Sequence, residues 1–150
     1  MNTDKLISAL NDLLTRNHDA KKGYTEAGND VTDGVLRKWM FENSEKRESY
    51  IEELHNQVRS LSGTPDHGTS FLGDMHRAWI DFKSSITDGN TAVLQECIRG
   101  EERAIEDYNK VINELDMTTA IREVLLRQRR NIEDSLKSLR AIEETLAVAQ

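Results

Sequence analysis

The segment TAVLQECIRGEERAIEDYNKVINEL, residues 91–115, carries the pattern that decides the fold class. Its apolar residues recur every three or four positions, which is the spacing of one face of an α-helix. Glu101 interrupts this apolar stripe near its middle. A long helix with a carboxylate in the centre of its apolar face predicts a helical bundle that holds a polar layer inside it.

Three further segments show the same pattern, with apolar stripes over residues 6–27, 36–61 and 121–146. Counted from the turns between the segments, the polar interruptions fall at similar heights along the bundle axis. The four helices therefore each bring a polar group to the waist of the predicted bundle. The interruptions in these three stripes are Asn17 in the first, Asn43 and Arg47 in the second, and Gln128 in the third.

The connections between the segments predict the topology. Short turns at 28–33 and 115–118 favour two antiparallel helical hairpins. The connection between the hairpins is longer, and it contains a helical stripe over residues 70–86 before the interruption Thr87-Asp88-Gly89-Asn90. We interpret 70–86 and 91–115 as two pieces of a broken third helix. The predicted fold is an all-α four-helix bundle with one crossover, as a single domain over residues 1–150.

The polar waist has a structural interpretation. A buried Arg or Glu alone would cost several kcal/mol, whereas a paired and hydrogen-bonded one is tolerated. We therefore expect Arg47 and Glu101 to form a buried ion pair. Asn17, Asn43 and Gln128 would satisfy its remaining donors and acceptors. Such a layer fixes the register of the helices more than it adds stability.

A di-metal site is the alternative. Bundle sites of this kind use carboxylates and Glu-x-x-His motifs that converge from several helices. The chain holds one such motif, Glu52-Glu53-Leu54-His55, and the last helix holds none. Glu52 lies nearly opposite the core stripe, and Arg47 would repel a cation, so the residues favour the ion pair. The alternative iron ligands, for a divergent di-iron oxidase or a metal-storage protein, would be Glu53, His55, Glu101 and Glu102.

Several other groups have simple structural interpretations. The segment His76-Arg77-Ala78-Trp79 follows His67 in the crossover; we expect Trp79 in the core and the other side chains bonded to the loop. Cys97 lies on an apolar stripe and is expected to be a buried core thiol. Gly23 and Gly100 are expected to mark close helix contacts. The helical count places Asp19 on the polar face.

Charge and composition exclude several classes of function. The net charge is −7 and the Lys/Arg residues are interleaved with acids, which argues against nucleic-acid binding. No apolar run approaches the ~20 residues that span a bilayer, and the first residues lack a signal-peptide pattern. One cysteine gives no disulfide framework. We therefore expect a cytoplasmic protein without a membrane partner.

Several short motifs of the chain carry a family resemblance: Asp19 to Tyr24, Arg47, Glu53-Leu54, Gly63-Thr64-Pro65, His76-Arg77-x-Trp79 and Arg99-Gly100-Glu101. At these motifs the chain resembles a bacterial ferritin-like four-helix-bundle family of unknown function, and the resemblance covers residues 5 to 140. It implies a ferritin-like fold, and because the family has no established activity it implies no reaction. Self-association is common among such bundles, so a homo-oligomer is compatible with it. We expect a non-catalytic structural or interaction-mediating protein without a cofactor.

Overall fold

The computed structural model describes residues 1–66, 79–83 and 89–148. Within this part of the chain the regular structure is helical, and no strand occurs. A short helical stretch covers residues 79–83. Residues 67–78 and 84–88 of the predicted crossover, including His67 and His76 to Ala78, lie outside the described residues. The four long helices are α1 (Thr3–Asp30), α2 (Gly34–Ser60), α3 (Gly89–Glu114) and α4 (Thr119–Val148).

Side-chain caps define where the helices begin. The first backbone N–H groups of a helix have no partner within the helix, and a preceding side-chain oxygen can accept from them. Asn2 accepts from the N–H of Lys5 at 3.1 Å. Asp33 accepts from Leu36 at 2.9 Å in the same way. The Asp33 cap places the start of α2 directly after the predicted turn at 28–33.

The two hairpins contact each other at the end of the bundle where the turn between α1 and α2 lies. α1 packs most closely on α2, and α3 packs most closely on α4. Thr32, in the turn between α1 and α2, donates its N–H to Asn90 Oδ1 at 3.0 Å. α3 therefore begins beside that turn, whereas α2 ends at the opposite end of the bundle. These positions of the two helix ends confirm the predicted crossover topology.

The core consists of two apolar clusters, and all four helices contribute to each. The first cluster surrounds Leu10, Leu54 and Tyr108, toward the end where α1 begins. The second surrounds Leu36, Met40 and Leu139, near the turn between α1 and α2. Burying a side chain of this size stabilises the fold by about 1.5–3 kcal/mol. The polar residues of the waist lie between the two clusters.

The length and apolar character of a helix determine whether it can span a membrane. Among the described residues, no helix combines the length and the apolar character that crossing a bilayer requires.

Candidate functional site

An ion pair between α2 and α3 forms the centre of the waist. Arg47 Nη2 donates to Glu101 Oε1 at 2.5 Å, and the two side chains are only 3% and 1% exposed. Tyr24 of α1 donates its hydroxyl to the same carboxylate oxygen. The guanidinium of Arg47 also lies 5.9 Å from the centre of the Tyr24 ring, within the range of a cation–π contact. Three helices thus converge on one buried carboxylate.

The protonation states of this cluster follow from burial and charge. Burial and the negative charge of Glu101 raise the pKa of the Tyr24 phenol well above its usual value. Burial alone would lower the pKa of Arg47, but the charge of Glu101, the two nearby tyrosines and the hydrogen bond to Glu101 together raise that pKa. The phenol is therefore neutral and the guanidinium positive at physiological pH. Both groups act as donors to Glu101.

A chain of hydrogen bonds runs from the ion pair to α4. Arg47 Nη1 donates to Asn17 Oδ1 at 2.9 Å, and Asn17 Nδ2 donates to the Tyr108 hydroxyl at 3.0 Å. Tyr108 donates to Gln128 Oε1 at 2.6 Å. Gln128 Nε2 then donates to Glu53 Oε1 at 3.2 Å. The structure thus brings together four of the five polar residues that the sequence singled out.

Asn43 is buried but belongs to no part of this chain of bonds. Its Nδ2 donates to the carbonyl of Trp39, one turn earlier on the same helix, at 2.9 Å. A short amide side chain can satisfy its donor on its own helix in this way. A polar residue that interrupts the apolar stripe of a helix therefore does not always contact another helix.

Sequence reasoning missed three members of the network: Tyr24, Tyr108 and Glu53. The two tyrosines occupy apolar stripe positions, where periodicity alone predicts a core residue. They lie two helical turns after Asn17 and Glu101 respectively. A buried tyrosine hydroxyl needs a hydrogen-bond partner, so a tyrosine in the stripe near a polar interruption was the available signal.

The side chains present do not fit a di-metal centre. Both oxygens of Glu53 are engaged, one by Gln128 and the other by Arg127 at 2.6 Å. His55 lies beside His18, with 6.4 Å between ring centres. Among residues 1–66, 79–83 and 89–148, no three His, Cys, Asp or Glu side chains are grouped so that they could hold a metal ion.

The remaining alternative ligand is Glu102. It is a half-exposed residue of α3 whose carboxylate lies 3.7 Å from Arg140. It is not grouped with Glu53 or His55 as a metal ligand. The four alternative ligands therefore do not converge on one point in the structure.

Cys97 is buried in the second apolar cluster, and Trp79 packs against the edge of that cluster. The thiol of Cys97 is 3.7 Å from Met40 Sδ, and burial raises its pKa well above the usual value. The sulfur is therefore a protonated core group. The indole N–H of Trp79 donates to Asp30 Oδ2 at 3.0 Å, and its ring packs against Phe82.

A cavity of about 360 Å³ lies beside the waist, between α1 and α3. Gly23 and Gly100 line it from the two facing helices. A methyl group added at either Cα would meet no atom of the described residues within 4 Å. The prediction that these glycines mark close helix contacts is therefore wrong. They leave space next to the cavity instead.

Asp19 also lines this cavity, and its prediction as a residue of the polar face is wrong. The residue is only 7% exposed, and it lines the cavity together with residues of α3. Its Oδ1 is buried and accepts no hydrogen bond. Burial raises the pKa of the carboxyl to about 6, and the positive charge of Arg16 offsets only part of that effect.

Comparison with known proteins identifies the family. Residues 5–114 match the model of a domain of unknown function (DUF2383), and the chain belongs to that family. None of the curated proteins matches the sequence.

The structure is similar to that of the bacterioferritin-related protein from Bacteroides fragilis, which is described as a dodecameric thioferritin. The TM-score is 0.83 and the identity is 17%, over 99% of this chain and 90% of that one. At this identity the likeness shows the fold alone. It confirms the ferritin-like bundle expected from the sequence.

Proposed function

We propose that this DUF2383 member is a non-catalytic ferritin-like bundle protein with a structural or interaction-mediating role. In this proposal the Arg47–Glu101 layer stands in place of a di-metal site, and no cofactor is used. The observation that carries the proposal is the buried guanidinium of Arg47, bonded to Glu101 at 2.5 Å. It puts a fixed positive charge at the level where a ferritin-like metal centre would gather cations.

The hydrogen-bonded layer supports a structural role because its bonds depend on helix register. A shift of one helix by one turn would move Arg47 away from Glu101 and leave a buried charge without its partner. Such a loss costs about 3–5 kcal/mol, which is a large part of the stability of a typical domain. Correct alignment of α1, α2 and α3 is therefore favoured over its alternatives. A rigid, uniquely aligned bundle is a suitable scaffold for presenting a binding surface.

The proposal includes a homo-oligomer as the working state, a single domain over residues 1–150, and a bacterial cytoplasmic location. The similar Bacteroides fragilis protein is described as dodecameric. The single cysteine is a buried free thiol, which fits a reducing compartment. The net charge of −7 supports the absence of a nucleic-acid partner.

The test of the waist is metal binding measured by melting temperature and elemental analysis. Purified protein is incubated anaerobically with excess Fe²⁺, desalted and analysed. We expect an unchanged melting temperature and no retained iron, because a ligand that binds only the folded state would raise the melting temperature. Retention of about two iron equivalents, as a di-iron bundle would show, contradicts the proposal if Glu101→Gln abolishes it.

The test of assembly is the molar mass in solution, measured by light scattering after size exclusion. We expect a closed oligomer whose mass is a whole-number multiple of 17.1 kDa. A monomer over the whole range of accessible concentrations would overturn the oligomeric part of the proposal and leave the waist unaffected.

A further inference from the structure

We propose that the cavity between α1 and α3 binds a small organic cation, a primary amine with an apolar or aromatic body, whose ammonium group pairs with Asp19. This inference goes beyond the proposed function, since the waist can align the helices whether or not the cavity is filled. It rests on the shape of the cavity, on the pairing of its charges and on one buried carboxyl group without a partner.

The cavity has the size and surface of a small-molecule site. Its volume of about 360 Å³ lies at the small end of the range for ligand pockets. Much of its lining is apolar or aromatic, with the Tyr24, Trp79 and Phe82 side chains and the small residues Ala20 and Ala104. Such a surface accommodates an apolar body, and aromatic rings also attract an ammonium group.

The charges that line the cavity are paired with one exception. Asp19 is the one charged residue of the described lining that forms no ion pair within 4 Å, so its carboxylate is available to a cation. A ligand with a single positive charge complements it. The pairs are Arg16 with Asp107 at 3.5 Å, Lys22 with Glu26 at 3.5 Å, Arg103 with Glu96 at 3.9 Å, and Arg47 with Glu101 at 2.5 Å.

The carboxyl group of Asp19 lacks the donor that a buried acceptor needs. Its Oδ1 is shielded from water and accepts no hydrogen bond, and the residue is more than nine-tenths buried. Its pKa of about 6, raised by burial, leaves most of the group ionised at neutral pH. An ammonium group in the cavity would pair with the carboxylate through a charge-assisted hydrogen bond, which is stronger than a neutral one.

The two glycines account for the space. Each lies inside a long helix, where glycine is less favourable than alanine. Neither is needed for a close helix contact, since a Cβ at Gly23 or Gly100 would meet no described atom within 4 Å. A requirement for an open cavity explains both residues, because longer side chains there would project toward the bound molecule.

The first experiment compares three probes that share an aromatic body and differ in charge. Binding of 2-phenylethylamine, 2-phenylethanol and 3-phenylpropanoate to the full chain is measured by calorimetry and by NMR at pH 7. We expect the amine to bind with a Kd of about 1 mM or tighter, and at least about tenfold tighter than the other two. Equal binding of the alcohol or the carboxylate, or no binding of the amine at about 10 mM, would overturn the proposal.

The second experiment locates the site with matched variants. Asp19→Asn keeps the shape and removes the charge, and we expect it to weaken amine binding about tenfold or more. Gly100→Leu fills the cavity and should abolish binding, whereas Gly34→Leu is the control at an exposed glycine outside it. Gly23→Leu replaces Gly100→Leu if that variant does not fold. Unchanged amine binding in Asp19→Asn would contradict the assignment.

Discussion

Asn17 and Asp19 lie two positions apart on α1, and both are buried, but their surroundings differ. Asn17 donates to Tyr108 and accepts from Arg47, so both ends of its amide are used. The Oδ1 of Asp19 accepts no hydrogen bond. Most polar atoms of the waist therefore bond to one another, although Glu101 Oε2 is buried without a hydrogen-bond partner. Asp19, in contrast, has neither an ion pair nor a hydrogen bond to Oδ1, and its burial reduces the stability of the fold.

The waist and the cavity therefore differ in how the removal of a buried polar group should affect stability. In the waist, the removal of one partner exposes the others to an unfavourable environment, so the residues depend on each other. In the cavity, the removal of the charge relieves an unfavourable interaction. Opposite signs of the mutational effect on stability are therefore expected for the two regions, and three measurements test this.

The largest effect is expected for Arg47→Ala. It strands the buried carboxylate of Glu101, and we expect the free energy of unfolding to fall by about 3–5 kcal/mol, measured by urea denaturation. The double variant Arg47→Met with Glu101→Met is the control, because it removes both charges and should lie close to wild type. An Arg47→Ala variant that unfolds like wild type would show that the pair is not a structural element.

The next effect has the opposite sign and depends on pH. The folded-state pKa of Asp19 is raised from 3.8 to about 6, so the folded protein binds the proton more tightly than the unfolded chain. The resulting penalty is absent below pH 4, grows as the pH rises from 4 to 6, and is complete at pH 7. Asp19→Asn should therefore stabilise the fold at pH 7 by about 2–3 kcal/mol and have little effect at pH 3.

The control for this measurement is Asp12→Asn, an exposed aspartate on the same helix. Its stability should follow that of wild type across the same pH range. Denaturation curves at pH 3, 5 and 7 decide the question. A loss of stability in Asp19→Asn at pH 7 would mean that the carboxylate has a partner in solution.

The smallest effects are expected at the helical glycines. Gly23→Ala and Gly100→Ala should each raise the free energy of unfolding by about 0.5–1 kcal/mol, since alanine is the better helix former and has room. Gly28→Ala is the matched contrast, because its Cβ would lie 2.8 Å from the Phe41 ring and should destabilise. Thermal melts of the three variants are sufficient. Destabilisation by Gly100→Ala would show that α3 packs closely at this position.

The sequence predicted the bundle and its waist because both depend on periodicity. Apolar spacing located the four helices, and Arg47 and Glu101 stood out as charges within an apolar stripe. The partners of these charges were harder to predict, because a tyrosine in a stripe is compatible with a purely apolar environment. Only the three-dimensional position of Tyr108 shows that its hydroxyl joins Asn17 to Gln128.

Asp19 shows the limit of such predictions most clearly. A helical count measures the angle of a residue from the stripe of its own helix. It does not show which side chains of other elements surround a residue that lies away from that stripe. The contact of Asn43 could not be predicted from periodicity either, because its Nδ2 donates to a carbonyl of its own helix and not to another helix.

The two apolar clusters have a consequence for cooperativity. Each draws side chains from all four helices, and the polar waist lies between them. Neither hairpin has a core of its own, so the natural units of partial opening are the two ends of the bundle rather than its two hairpins. In amide hydrogen exchange, the boundary between protected and exchanging residues would then cross every helix at the height of Asn17 and Glu101.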